Sequence, residues 1–170
     1  MGSVGSFVPS SSSPPFTRAV LVALVTLFAA PTPGCSGCSR GEAARGEADD
    51  RAVVLAIAAQ DQRASKAMHA VDEAAKRGAS GAALDAIDNE VRPAIEEGLR
   101  LAEAARPSSS WGKETTAALG GILRDRKNEL PRYAEAVSND MPDELLAAME
   151  AQAAIERRAI AAVEAIPGAR

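Results

Sequence analysis

From Asp49 onward, apolar and polar positions alternate with the period of an α-helix rather than a strand. Between Asp49 and Arg77, the residues Val54, Ile57, Ala64, Met68, Val71 and Ala75 recur at steps built from three and four, which gathers them on one helix face. Asp61 falls on that same seam. Gly78 and the Ser80-Gly81 pair stop the pattern, as a C-terminal glycine and a turn would. A second stripe, Leu84, Ile87, Val91, Ile95, Leu99 and Ala102, predicts a helix from Ala82 to Ala105. Pro93 lies inside it. An interior proline removes a backbone donor and clashes with the turn before it, so a kink or a cost of about 3 kcal/mol is expected there.

Pro107 and the serines Ser108 to Ser110 mark the next turn, and Trp111 to Ser138 reads as a third helix on Leu119, Ile122, Leu123, Leu130, Tyr133 and Val137. Gly120-Gly121 and Pro131 weaken it and predict a bend. Asn139-Asp140, Pro142 and Asp143-Glu144 form a helix-start signature: a cap candidate, an early proline, and acids at the positive end of the dipole. The fourth helix then runs to Ala165, before Pro167-Gly168.

No stretch carries the alternating β-branched and aromatic pattern of a strand. Four helices of about 25 residues, each about 37 Å long, joined by short turns, predict an all-α, up-and-down, Ala-rich bundle over residues 49–166. Alanine on the seams allows close helix approach but buries little area per residue, so the core should be thin. Residues Ser39 to Ala48 are small and charged without apolar periodicity and read as a flexible tether, within a segment 35–48 that also holds Cys35 and Cys38.

Residues 1–34 read as a leader. Ala19 to Ala30 is an apolar run preceded by Arg18, of the length of a signal-peptide core and well short of the roughly 20 residues a membrane span needs. It is followed by PTPGCSGCS, in which Gly34-Cys35 and Gly37-Cys38 each set a small residue before a cysteine. The segment resembles a bacterial lipoprotein leader. That resemblance implies cleavage, acylation of Cys35 or Cys38, and a mature chain tethered to a membrane in the cell envelope, facing the periplasm or exterior; without acylation the chain would be secreted. The position three before the cysteine, aliphatic in that family, is Thr32 or Cys35 here. Other readings of the pair lack their partners: no βαβ pattern follows for a redox motif, Ser39 stands where covalent haem needs histidine, and no further cysteine with one histidine leaves zinc short of ligands.

Charge and composition narrow the function. After Cys38 the chain carries 18 basic and 23 acidic residues, interspersed, for a net charge of −5. Nucleic acid is disfavoured as a partner, since neutralising phosphates needs a concentrated basic surface. Phe7, Phe16 and Phe28 all lie in the leader, so only Trp111 and Tyr133 remain to stack on a ligand. A ferritin-like metal site needs a histidine three after a glutamate on two helices, whereas Lys66 precedes the sole histidine, His69. No nucleophile elbow, phosphate loop or zinc-protease motif occurs. No cofactor is called for.

The candidate residues are accordingly few. Asp61 on an apolar seam is a candidate buried carboxylate. Arg124, Arg126 and Lys127 form a basic cluster that could meet an anionic partner, and Trp111 could present a contact surface or staple its turn onto the bundle. The reading favoured is a non-enzymatic envelope protein acting as an interaction or accessory module with a partner protein. The alternative is a small-ligand bundle whose pocket lies where Pro93, Gly98, Gly120-Gly121 and Pro131 loosen the packing; an Asp/Glu-only enzyme stands third.

Overall fold

The computed structural model describes residues 39–168, with side-chain surroundings from residue 46. The leader, Cys35 and Cys38 lie outside the described residues. Helix α1 (Ser39–Lys76) is followed by α2 (Ser80–Ala86), a π turn (Ile87–Val91), α3 (Arg92–Ala104), α4 (Ser110–Ser138) and α5 (Pro142–Glu164). The segment from α2 through α3 is one unbroken helical arm, so four arms run up and down as an all-α bundle, with no strand among the described residues.

Helix α1 begins ten residues before the apolar periodicity does. Ser39 to Ala48, expected as a tether, forms its opening turns. Glu42, Ala43, Ala44, Arg45, Glu47 and Ala48 are strong helix formers, and their intrinsic preference carries the helix where no apolar face marks it. At the other end Gly78 takes φ 70°, and the N–H of Ala79 donates to the Ala74 carbonyl at 2.9 Å, the six-to-one bond of a glycine-terminated helix.

The π turn answers two constraints at once. Ala83, Ile87, Val91, Ile95 and Leu99 are all buried at a strict spacing of four. In a plain α-helix such a run drifts about 40° per step, because four residues overshoot the 3.6-residue turn. Absorbing one extra residue at Ile87–Val91 underwinds the arm and keeps these side chains inward; the Arg92 N–H bonds the Ile87 carbonyl, five residues back. Pro93, which has no N–H to give, follows directly at the start of α3. The expected interruption is thus a change of helix type rather than a break. Pro131 is exposed on α4, which continues unbroken through Gly120, Gly121 and Pro131.

The core is built from α1 (Val54, Ile57, Met68, Val71), the second arm (Ile87, Val91, Ile95, Leu99) and α4 (Leu119, Leu123, Leu130, Tyr133). Helix α5 adds Ala148, Gln152, Ile155 and Ala159, among which Ile155 is the single large apolar side chain. Leu145, Met149 and Val163 of α5 also pack against the core, half-buried, while on the side α5 shares with α1 the small Ala159 leaves the space incompletely filled.

Candidate functional site

A groove of about 600 Å³ runs between α1 and α5. Leu55 and Ala59 on α1 face Ile160 and Val163 on α5 across it, and its polar end is made by Ser65 and Glu156. Leu55 is 43% and Ile160 53% exposed, so two large apolar side chains stand at the rim in water.

Asp61 forms part of the groove's lining, but its carboxylate is turned to the bundle interior. Arg126 donates from Nε to Asp61 Oδ1 at 2.7 Å and from Nη2 to Oδ2 at 3.4 Å. Its Nη1 reaches Gln152 Oε1 on α5 at 3.2 Å, while Gln152 Nε2 has no partner among the described residues. Arg126 is 1% exposed and Asp61 5%. The planar guanidinium matches the carboxylate with two parallel bonds, which is how a charge survives at this depth.

Beside the pair, Ser65 donates to Glu156 Oε1 at 2.7 Å and His69 Nε2 lies 3.3 Å from the same oxygen. The serine hydrogen bond, with His69 adding to it, holds the Glu156 carboxyl below its ordinary range against partial burial. His69 itself is exposed, and no group of metal-ligating side chains occurs among the described residues. No helix among them is long and apolar enough to cross a membrane.

Two further buried polar groups are structural. Asp50, 4% exposed on α1, accepts from the backbone N–H and the hydroxyl of both Ser108 and Ser109, with the Ser109 contacts at 2.7 and 2.6 Å. Ser109 is also the N-cap of α4, accepting from the Gly112 N–H at 3.0 Å, so one carboxylate orients the cap of another helix. Tyr133, wholly buried on α4, donates its hydroxyl to Asp72 on α1; burial first, then this bond and the charge of Asp72, push its phenol far above the usual range.

The residues singled out in the sequence scatter. Arg124 and Lys127 are exposed on α4, but Arg126 belongs to the core, so the three do not form one basic surface. It lies four positions from both Ile122 and Leu130, and that spacing was the signal that placed it on the seam. Trp111 is half-buried and packs on the core at the start of α4. Gly98 does not loosen the packing: a Cβ there would stand 2.8 Å from Leu123 Cδ1 and 3.1 Å from Gln60 Cβ, so it is a point of close approach. Gly120 lines a depression with Lys113 and Arg124, which neither Pro93 nor Pro131 borders. The α1–α5 groove was not anticipated; the small side chain of Ala159 on the inner face of α5 was the signal for it.

Comparison with protein-family models, with curated proteins and with solved structures returns no match for this chain.

Proposed function

We propose that the chain is a non-enzymatic interaction module, delivered to the cell envelope by its leader and tethered there through acylated Cys35 or Cys38. The observation that carries the reading is the pair of rim side chains, Leu55 and Ile160, exposed opposite one another over an apolar groove. Leu55 and Ile160 border one groove, unlike the isolated exposed Leu146, and this grouping supports a face that another macromolecule covers. The buried ionisable groups support the non-catalytic part: Asp61 with Arg126, Asp50 with its two serines and Tyr133 with Asp72 each consume one another's bonding capacity in holding helices together.

A photo-crosslinking residue at position 55, in cells of a Gram-negative host, tests this. A discrete adduct from position 55, absent when the probe stands at exposed Glu103 on the far side and lost in Ile160→Glu, is expected. Equal labelling from both positions would count against the reading.

The groove volume favours one second reading. About 600 Å³ falls within the roughly 300–1,000 Å³ of small-ligand sites, so a bound apolar metabolite is the alternative occupant. A rise in melting temperature on adding a metabolite, abolished by Ala59→Trp, would select it.

A further inference from the structure

We infer that the depression between α3 and α4 binds a phosphate group with an ammonium close beside it, the chemistry shared by free phosphoethanolamine and an aminophospholipid headgroup. The site shares no lining residue with the α1–α5 groove and stands independently of the interaction-module reading.

Lys113, Thr116, Gly120 and Arg124 follow one another on α4 at steps of three and four, so a single helix face contributes all of them to one wall. Ala102 and Glu103 of α3 form the other, and the space between is about 330 Å³. A Cβ at Gly120 would stand 3.5 Å from Ala102 Cβ and 3.7 Å from Arg124 Nη1, so the Arg124 guanidinium folds back across the glycine toward Lys113. The two cations start about 16 Å apart along the helix axis, and this fold-back brings the guanidinium about one turn nearer.

Both cations have bonds to give. Neither Lys113 nor Arg124 makes an ion pair among the described residues. Thr116, 8% exposed, lines the same wall, and its buried hydroxyl has no partner among those residues. A buried hydroxyl left unbonded is costly, so the wall holds a further donor in want of an acceptor.

Glu103 supplies the opposite sign. Arg106 is spent on the Glu103 and Ala105 carbonyls, each at 2.7 Å, and leaves the Glu103 carboxylate without a cation. Asp125 is held by Arg158 at 2.7 Å, and neither Glu96 nor Glu114 lines the depression. Two cations and one carboxylate therefore face the same space. Arginine meets phosphate oxygens with paired donors and lysine meets them as a point charge, while Glu103 takes the ammonium. A phosphate without an ammonium would leave Glu103 facing a like charge.

The test is a titration of the protein as a Gram-negative host delivers it, in nonionic detergent at fixed ionic strength, followed by the backbone amide resonances of Thr116 and Gly120. Phosphoethanolamine, glycerophosphoethanolamine and inorganic phosphate are added into the millimolar range, where a few exposed charge contacts are expected to bind. The expected result is a saturable shift with an ammonium-bearing phosphate that Arg124→Ala or Lys113→Ala weakens about tenfold. Inorganic phosphate should bind more weakly, and Glu103→Gln should abolish that preference. All three substituted side chains are exposed, and unchanged circular dichroism will show that the variants remain folded. Tighter binding of the diester identifies a lipid headgroup as the source, and tighter binding of the monoester a free metabolite. No saturable shift with either compound overturns the proposal, as does a shift indifferent to both cation variants or equal affinity for inorganic phosphate in the wild-type chain.

Discussion

Arg126 on α4 and Asp61 on α1 meet at 2.7 Å in the interior of the bundle, 65 positions apart in the chain, each nearly closed to water. Neither charge would be stable there alone, and Gln152 on α5 supplies a further acceptor, so one cluster fixes the mutual positions of three helices.

Removing one partner leaves the other buried and uncompensated. Arg126→Met is expected to lower unfolding free energy by about 3–5 kcal/mol, measured by urea titration followed by circular dichroism. The double variant Asp61→Leu, Arg126→Met should regain most of that loss, because no charge is then stranded. A single variant as stable as wild type would show that water reaches Asp61 through the groove.

Acid should act on Asp50. Hydrogen bonds from Ser109, hydroxyl first and then backbone, with Ser108 adding to them, outweigh burial and hold its carboxyl at about 2 against an ordinary 3.8. A carboxyl that is more acidic folded than unfolded contributes its stabilisation in full above the ordinary value and loses it as pH falls through the folded one. Wild-type stability should therefore decline more steeply between pH 3.8 and about 2 than that of Asp50→Asn, where the titrating group is gone. Parallel acid-unfolding curves for the two would contradict this assignment.

Two glycines should respond to alanine with opposite signs. At Gly98 the added methyl would press on Leu123 and on Gln60 Cβ, and the loss should be about 1–3 kcal/mol. At Gly121 nothing lies within 4 Å, so Gly121→Ala should gain about 0.5–1 kcal/mol through helix preference alone. Thermal unfolding of both variants decides it, and a stabilised Gly98→Ala would mean that α1, α3 and α4 pack less closely than described.

The four helical arms and their turns were legible because the apolar period and the Gly, Pro and Asn-Asp signals agree along the chain. Other features were not. The first turns of α1 have no apolar face, so periodicity is silent where alanine and glutamate preference builds helix. The π turn shows as a run of buried positions four apart, Ala83 to Leu99, which a stripe of threes and fours passes over. Arg126 stood beside two exposed basic residues and was grouped with them by proximity in sequence, although its spacing to Ile122 and Leu130 placed it on the inward face. Asp61 was visible on its seam, but the identity of its partner depended on how α1 and α4 face each other, which no local pattern encodes. The groove, by contrast, had a local signal in the small side chain of Ala159 on the inner face of α5.

The π turn makes Ile87–Val91 the place where chain length and packing are least tied together. It behaves as a single-residue insertion whose excess is stored in a wider loop of backbone, with Asp88, Asn89 and Glu90 all turned to water. A chain lacking Asn89 and carrying alanine at the Pro93 position would run through as plain α-helix, with the halves on either side still in phase. Elsewhere in the four arms, losing one residue would rotate everything beyond it by about 100° out of the core. Here the fold holds a spare residue, and a change in length has somewhere to go.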